Sequence, residues 1–284
     1  MKTTEWALIL FTVLGQAAIG AFLLLAVLRQ LNKDASRESV FRKSAIVLTV
    51  VAAVALGASL FHLGRPLMAL NALRNLGSSW LSREIFFTGG FFVLLLAGVL
   101  LSSRPSMRRI IDWAACLAGV LSIISMAASY AATVKPAWQG FDTYVAFAGT
   151  ALFLGAALAA GLLVLFAAKG QSAPAGELQL LVWVAVGAIV VQLIALPFYL
   201  VSLAGGEPAA QQSATLLAGK YGIALVLRWA LVGGLVPLLV LGRKAVAGKV
   251  PGALVYAALL FIVSGEVVGR FLFYATGVSI GIGL

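Results

Sequence analysis

Residues 143–167, "TYVAFAGTALFLGAALAAGLLVLFA", run for 25 positions without a charged side chain. About 20 apolar residues in a helix cross the hydrocarbon core of a bilayer. The run shows no alternation of period 2, so it is not a half-buried strand. Lipid gives the backbone no hydrogen-bond partner, which leaves helices and closed barrels as the only ways across. The stretch is therefore read as a membrane-spanning helix. Working outward, similar apolar runs occur at 6–28, 44–64, 84–101, 110–132, 178–203, 221–241 and 250–274, which makes eight with the first. Composition agrees: 62% of residues are hydrophobic and 10% charged, against about 25% charged in a soluble domain. The predicted fold is all-α, a polytopic integral membrane protein with eight transmembrane helices in a single domain over residues 1–284.

The first run, at 23 residues, exceeds the apolar core of a signal peptide, about 7–15 residues, and is read as a retained helix. The net charge of +11 is distributed unevenly. Twelve Lys and Arg fall on the connections after helices one, three, five and seven, and six on the opposite set. The positive-inside rule places the richer set in the cytoplasm and both termini outside. The same distribution argues against nucleic acid as a partner. The longest connections, near 29–43, 65–83 and 204–219, are too short for a folded extramembrane domain. Chemistry is confined to the helices, their rims or another polypeptide. The final segment "ATGVSIGIGL" reads as a loosely held outer end.

Counting bounds the cofactors. A cysteine-ligated iron–sulfur cluster takes four thiolates, and the protein has one cysteine, Cys116, read as a buried packing residue. One histidine, His62, excludes bis-histidine haem, and ligation with Met126 is disfavoured. Walker, zinc-type and Rossmann patterns are absent from the sequence. No metal site, haem or iron–sulfur cluster is expected in this polypeptide.

An ionisable group at mid-membrane costs at least about 2.5–3.5 kcal/mol on insertion scales, so those inside the runs carry information. They are His62, Glu84, Arg228, Glu266 and Arg270, with Gln16 and Gln192 as uncharged additions. The topology places His62 and Glu84 at the outer ends of helices two and three, and Arg228 about 12 Å inward at 1.5 Å per residue. Each has an ordinary explanation. Glu266 and Arg270 have the spacing of a helical ion pair, Arg228 is expected to seek a partner such as Glu266, and His62 caps helix two. A carboxylate in a first helical turn is stabilised by the macrodipole, which fits Glu84. Ser122, Ser125, Ser129 and Tyr130 form a polar stripe consistent with close helix packing. Between His62 and Glu84, "RPLMALNALRNLGSSWLSR" carries Leu67, Leu70, Leu73 and Leu76 at three-residue steps. Such a link suits a short interfacial helix opened by Pro66 and closed at Gly77, with Trp80 at headgroup depth.

"HLGRP" ending helix two, the Leu/Arg/Asn link and "SWLSRE" opening helix three resemble the membrane anchor subunit of the anaerobic dimethyl sulfoxide reductase family. The resemblance implies an electron-transport role in anaerobic respiration, in a bacterial inner membrane. It also implies two partners, an iron–sulfur electron-transfer subunit and a molybdopterin catalytic subunit. Menaquinol is then the bound substrate, oxidised by this subunit while the terminal acceptor is reduced elsewhere. The family's quinol-site histidine and glutamate fall on His62 and Glu84, with Arg65, Trp80 and Arg83 beside them as quinol-binding residues. Arg228, Glu266 and Arg270 stand apart as a buried polar cluster. Alternatives are an anchor for a related molybdoenzyme with another acceptor, an anchor without quinol chemistry, and a secondary transporter. The last is disfavoured because no paired helix interruption or midplane cluster is seen.

Overall fold

A computed structural model of the protein describes residues 3–31, 38–61, 66–101, 105–166, 175–232 and 252–281. The helices are α1 (Thr3–Leu31), α2 (Glu38–Leu60), α3 (Trp80–Leu100), α4 (Pro105–Ala131), α5 (Phe141–Phe166), α6 (Ala175–Ala204), α7 (Pro208–Thr215), α8 (Gly222–Leu231) and α9 (Gly252–Ala275). All but α7 and α8 contain a stretch long and apolar enough to cross a membrane. The segments Pro208–Lys220 and Gly222–Leu231 meet at a 71° bend and, taken as one span, make an eighth. Seven or eight apolar helices among the described residues fit the polytopic all-α fold expected from the sequence.

The first limb of this pair, α7, falls where sequence reading placed a connection. Gly205 and Gly206 end α6, and Pro208 restarts the backbone as a helix from its first position, where a missing N–H costs nothing. A π turn over Leu216–Lys220 then redirects the backbone. Residues 233–251, which include the remainder of the seventh predicted run, lie outside the described residues.

α1 and α5 form the buried centre. A Cβ added at Gly20 would lie 1.8 Å from the Ala151 carbonyl oxygen, and one at Gly155 would lie 2.4 Å from the Gly20 carbonyl carbon. The two backbones touch at this crossing, as small residues permit in a medium where packing rather than water drives association. Around it Phe153, Leu154, Ile19 and Leu178 are fully buried. Lipid-facing side chains are apolar as well, including Val93, Leu117, Trp183, Ile194 and Val226.

At the end of the bundle where α1 finishes and α4 begins, four charges close on one another. Arg29 donates to both oxygens of Glu38, at 2.9 and 3.0 Å, and to Asp112. Arg108, 4% exposed, donates to Glu38 and lies 3.7 Å from Asp112. The loop count treats Arg29 and Arg108 as free basic charges. In the fold they are neutralised by two carboxylates that sequence reading does not single out. Asp112, four residues after Arg108, was the available signal.

The opposite end is closed by aromatic rings and by the C-terminal segment. Trp138 stacks on Phe273 at 5.0 Å and donates from Nε1 to the Phe273 carbonyl at 2.8 Å. Ile280 N–H donates to Val134 O and Val278 N–H to Ser213 Oγ. The sequence suggests a loosely held tail. Through residue 281 it is instead pinned, because Gly277 presses onto the Trp138 ring too closely for any Cβ.

Gly20→Ala is expected to lower stability by about 3 kcal/mol or more, since the clash is with backbone rather than with a side chain that can move. Gly187→Ala, at a position with open space around it, serves as the neutral control. Thermal unfolding of the detergent-purified proteins measures the difference.

Candidate functional site

α3 starts earlier than its apolar run. Ser79 is the N-cap, its hydroxyl accepting from the Ser82 N–H at 3.3 Å. Trp80 is therefore the first helical residue and Glu84 the fifth, beyond the first turn. The capping explanation for Glu84 loses its basis. Its carboxylate is 6% exposed and faces the Ser129 hydroxyl on α4. Among the described residues no cation stands within ion-pairing distance of it.

The polar stripe of α4 points at α3. Ser122 Oγ and Thr88 Oγ1 are 2.6 Å apart, one turn below Glu84. At the upper end the Tyr130 hydroxyl meets that of Tyr274 on α9 at 2.7 Å. The Tyr130 ring lies edge-on to Trp138 and Phe273, with centroids 5.2 and 5.3 Å away. A buried carboxylate thus sits beside a pair of phenols and a row of hydroxyls, in a setting that can accept and pass a proton. Lys135, which lies outside the spans with its ammonium 3.9 Å above the Trp138 ring, is held below the ordinary lysine pKa by burial, with Glu5 opposing.

The link before α3 is a 3₁₀ helix over Pro66–Asn75, closed by a turn at Leu76–Ser78. Three residues per turn eclipse positions i and i+3, and so a leucine every third residue makes one stripe. Leu73 and Leu76 are half-buried while Arg74 and Asn75 are exposed. Arg83 fastens this link to α3. Its Nε donates to the Leu76 carbonyl at 2.9 Å, its Nη2 to that of Gly77 at 2.7 Å, and its guanidinium lies 4.2 Å from the Trp80 ring centroid. Arg83 and Trp80 therefore hold the rim in place. His62 and Arg65 lie outside the described residues.

Arg228, Glu266 and Arg270 line a single cavity of about 110 Å³ bounded by α5, α6, α8 and α9. The expected ion pairs do not form; each charge has a different partner. Glu266, 2% exposed, accepts from Thr150 Oγ1 at 2.6 Å. Arg270, 4% exposed, donates to Gln16 Oε1 at 2.8 Å and lies 3.9 Å over the Phe147 ring. Arg228 donates to Gln192 Oε1 at 3.0 Å. Neighbouring helices present neutral polar groups and ring faces to each charge, so the partners come from across the bundle rather than along one helix. Thr150, Trp229, Tyr199 and Asp142, which also line this space, were missed by sequence reading. Of these, Thr150 was visible as a hydroxyl in the interior of an uncharged run.

The fold and its buried polar groups define a helical, multi-pass membrane protein whose chemistry-bearing residues gather inside the bundle and at one rim. The sequence matches the DMSO reductase anchor subunit (DmsC) family over residues 1–276, and the protein belongs to that family. It is 30% identical to the anaerobic dimethyl sulfoxide reductase subunit YnfH of Escherichia coli K12, over 99% of this protein and 97% of that one. Identity to the C subunit of the anaerobic dimethyl sulfoxide reductase of the same organism is 31%, covering 98% and 96%. The corresponding C subunit of Haemophilus influenzae is 29% identical, again over 98% and 96%. As a membrane anchor subunit of a dimethyl sulfoxide reductase complex, the protein has catalytic and electron-transfer subunits as partners. The one helix break among the described residues has no counterpart there, unlike the paired interruptions of transporters.

Replacing Arg270 by lysine keeps the charge but loses the flat cation that covers Phe147. A loss of about 1–2 kcal/mol is expected, read as earlier thermal unfolding. Arg109→Lys, at an exposed position, should be silent.

Proposed function

We propose that this subunit oxidises menaquinol at the rim where α2 ends and α3 begins, and delivers the electrons to the iron–sulfur subunit of its complex. Quinol oxidation releases two electrons and two protons, and the protons need acceptors beside the head group. The observation that carries the reading is Glu84, a buried carboxylate placed past the capping turn and without a neighbouring cation among the described residues. A carboxylate so placed is available to exchange a proton rather than committed to an ion pair. His62, four residues before the 3₁₀ link begins, supplies a neutral imidazole as the first acceptor. Glu84 takes or relays the second proton, with Ser129 and the Tyr130–Tyr274 pair beside it.

Arg83 and Trp80 shape the mouth of the site by fixing the link to α3, and Arg65 adds a positive charge for the head group. The exposed edge of the link, with Arg74 and Asn75, supports docking of the electron-transfer subunit close by. This nearness is required because the protein has one cysteine and one histidine with which to build a redox centre. The molybdopterin subunit reduces the terminal acceptor. The bacterial relatives and the basic loops favour the inner membrane, with both termini outside and protons released on the rim side.

Glu84→Gln and His62→Ala are each expected to lower quinol-dependent turnover by about 100-fold or more, the range for loss of general acid–base catalysis. Activity with an artificial donor that reduces the partner subunits directly should persist. Loss of both activities would show instead that these residues hold the complex together. Proton release in oriented vesicles, measured during quinol oxidation, is expected on the rim side.

A further inference from the structure

The cavity between α5, α6, α8 and α9 holds polar groups that the protein leaves unsatisfied. Gln192 Nε2, Arg228 Nε, Trp229 Nε1 and Glu266 Oε1 are all buried and without a hydrogen-bond partner among the described residues, and all four residues line the cavity. A buried polar group left unpaired costs about 1–3 kcal/mol. Three donors and one acceptor converging on one space are therefore the imprint of something that fills it. The remaining wall is largely aromatic or aliphatic, with Tyr199, Phe273, Leu196 and Leu225, together with Asp142, Arg270 and three threonines. Apolar walls with a few convergent polar groups are the usual make-up of a ligand pocket.

Among the described residues α6 and α8 scarcely touch, and each exposes apolar side chains, among them Ile194 and Phe198 on α6 and Ile223 and Val226 on α8. An occupant entering between them comes from the bilayer. Its head must accept hydrogen bonds from among Arg228, Trp229 and Gln192 and also donate one to Glu266. A phosphate head group meets the first condition but is repelled by the Glu266 carboxylate. A hydroquinone hydroxyl donates to Glu266 while the same oxygen accepts from up to two of the three donors, and its ring suits the Trp229 and Phe273 faces.

We infer that this cavity is a second head-group site for a lipid-borne para-quinol in its reduced form, with Glu266 as the hydrogen-bond acceptor and Arg228, Trp229 and Gln192 as donors. Its wall includes Phe273, which lies edge-on to Tyr130, and the Arg270 guanidinium seated on Phe147 and Phe273. The inference rests on the cavity's own groups and stands whether or not Glu84 handles quinol.

The test is photolabelling of the intact complex in nanodiscs with an azido-naphthoquinol held in its reduced form, with the labelled peptides mapped by mass spectrometry. The expected result is labelling of α6, α8 and α9 peptides as well as the α2–α3 rim. Glu266→Gln should reduce the cavity labelling by about tenfold, in line with loss of a hydrogen bond to a charged group, and leave the rim unchanged. Ala195→Trp, which fills the cavity while keeping Glu266 and the three donor residues in the sequence, should do the same and decides the matter if the first variant fails to assemble. Labelling confined to the rim, or cavity labelling that both variants leave intact, overturns the inference. So does density in the complex showing only water or a phospholipid head group in the cavity. Glu84→Gln is run alongside: unchanged rim labelling there counts against the rim site alone.

Discussion

The structure depends on the contact between α1 and α5. At Gly20, Ala151 and Gly155 the two backbones lie against each other with no room for a further β-carbon at either glycine. Both helices are polar one turn away from that point. Gln16 precedes Gly20, and Phe147 and Thr150 stand beside Ala151. Bringing the backbones together delivers those side chains to α9, where Gln16 receives Arg270, Phe147 lies beneath it and Thr150 donates to Glu266. A wider crossing would leave two charges in lipid without partners. The small residues thus settle the electrostatics as well as the packing.

Charge is handled in three ways along the bundle. At one end Arg29, Arg108, Glu38 and Asp112 neutralise each other at the boundary with water. In the middle, single charges are met by amides, hydroxyls and ring faces from neighbouring helices. At the rim, Glu84 has hydroxyl neighbours and no close cation among the described residues. A group left in that state is unfavourable for stability alone, and such places are where proton-transfer groups are most easily tuned.

The link ahead of α3 shows how rim geometry is made from simple local rules. A three-residue leucine repeat selects the 3₁₀ period, Ser79 caps the helix that follows, and Arg83 ties the two together through backbone carbonyls. A rigid rim with an exposed polar edge results, which suits a subunit whose task is to hold others at the membrane.

The sequence by itself determined the all-helical membrane fold, the approximate spans, the family and the residues worth attention. Hydrocarbon thickness and backbone hydrogen bonding impose those spans on any run such as residues 143–167. The link was legible too, since its leucine spacing is a local property. Only the tertiary structure decided which groups meet. Sequence spacing proposed that Glu266 pair with Arg270, yet partners from α1 and α5 reached each of them first, and spacing along one helix carries no information about neighbouring helices. The four-charge cluster was likewise hidden, because Glu38 and Asp112 become partners only once α1, α2 and α4 converge. The break ahead of α8 and the pinned tail were missed for the same reason: both are fixed by distant contacts, with Ser213 meeting Val278 and Trp138 meeting Gly277.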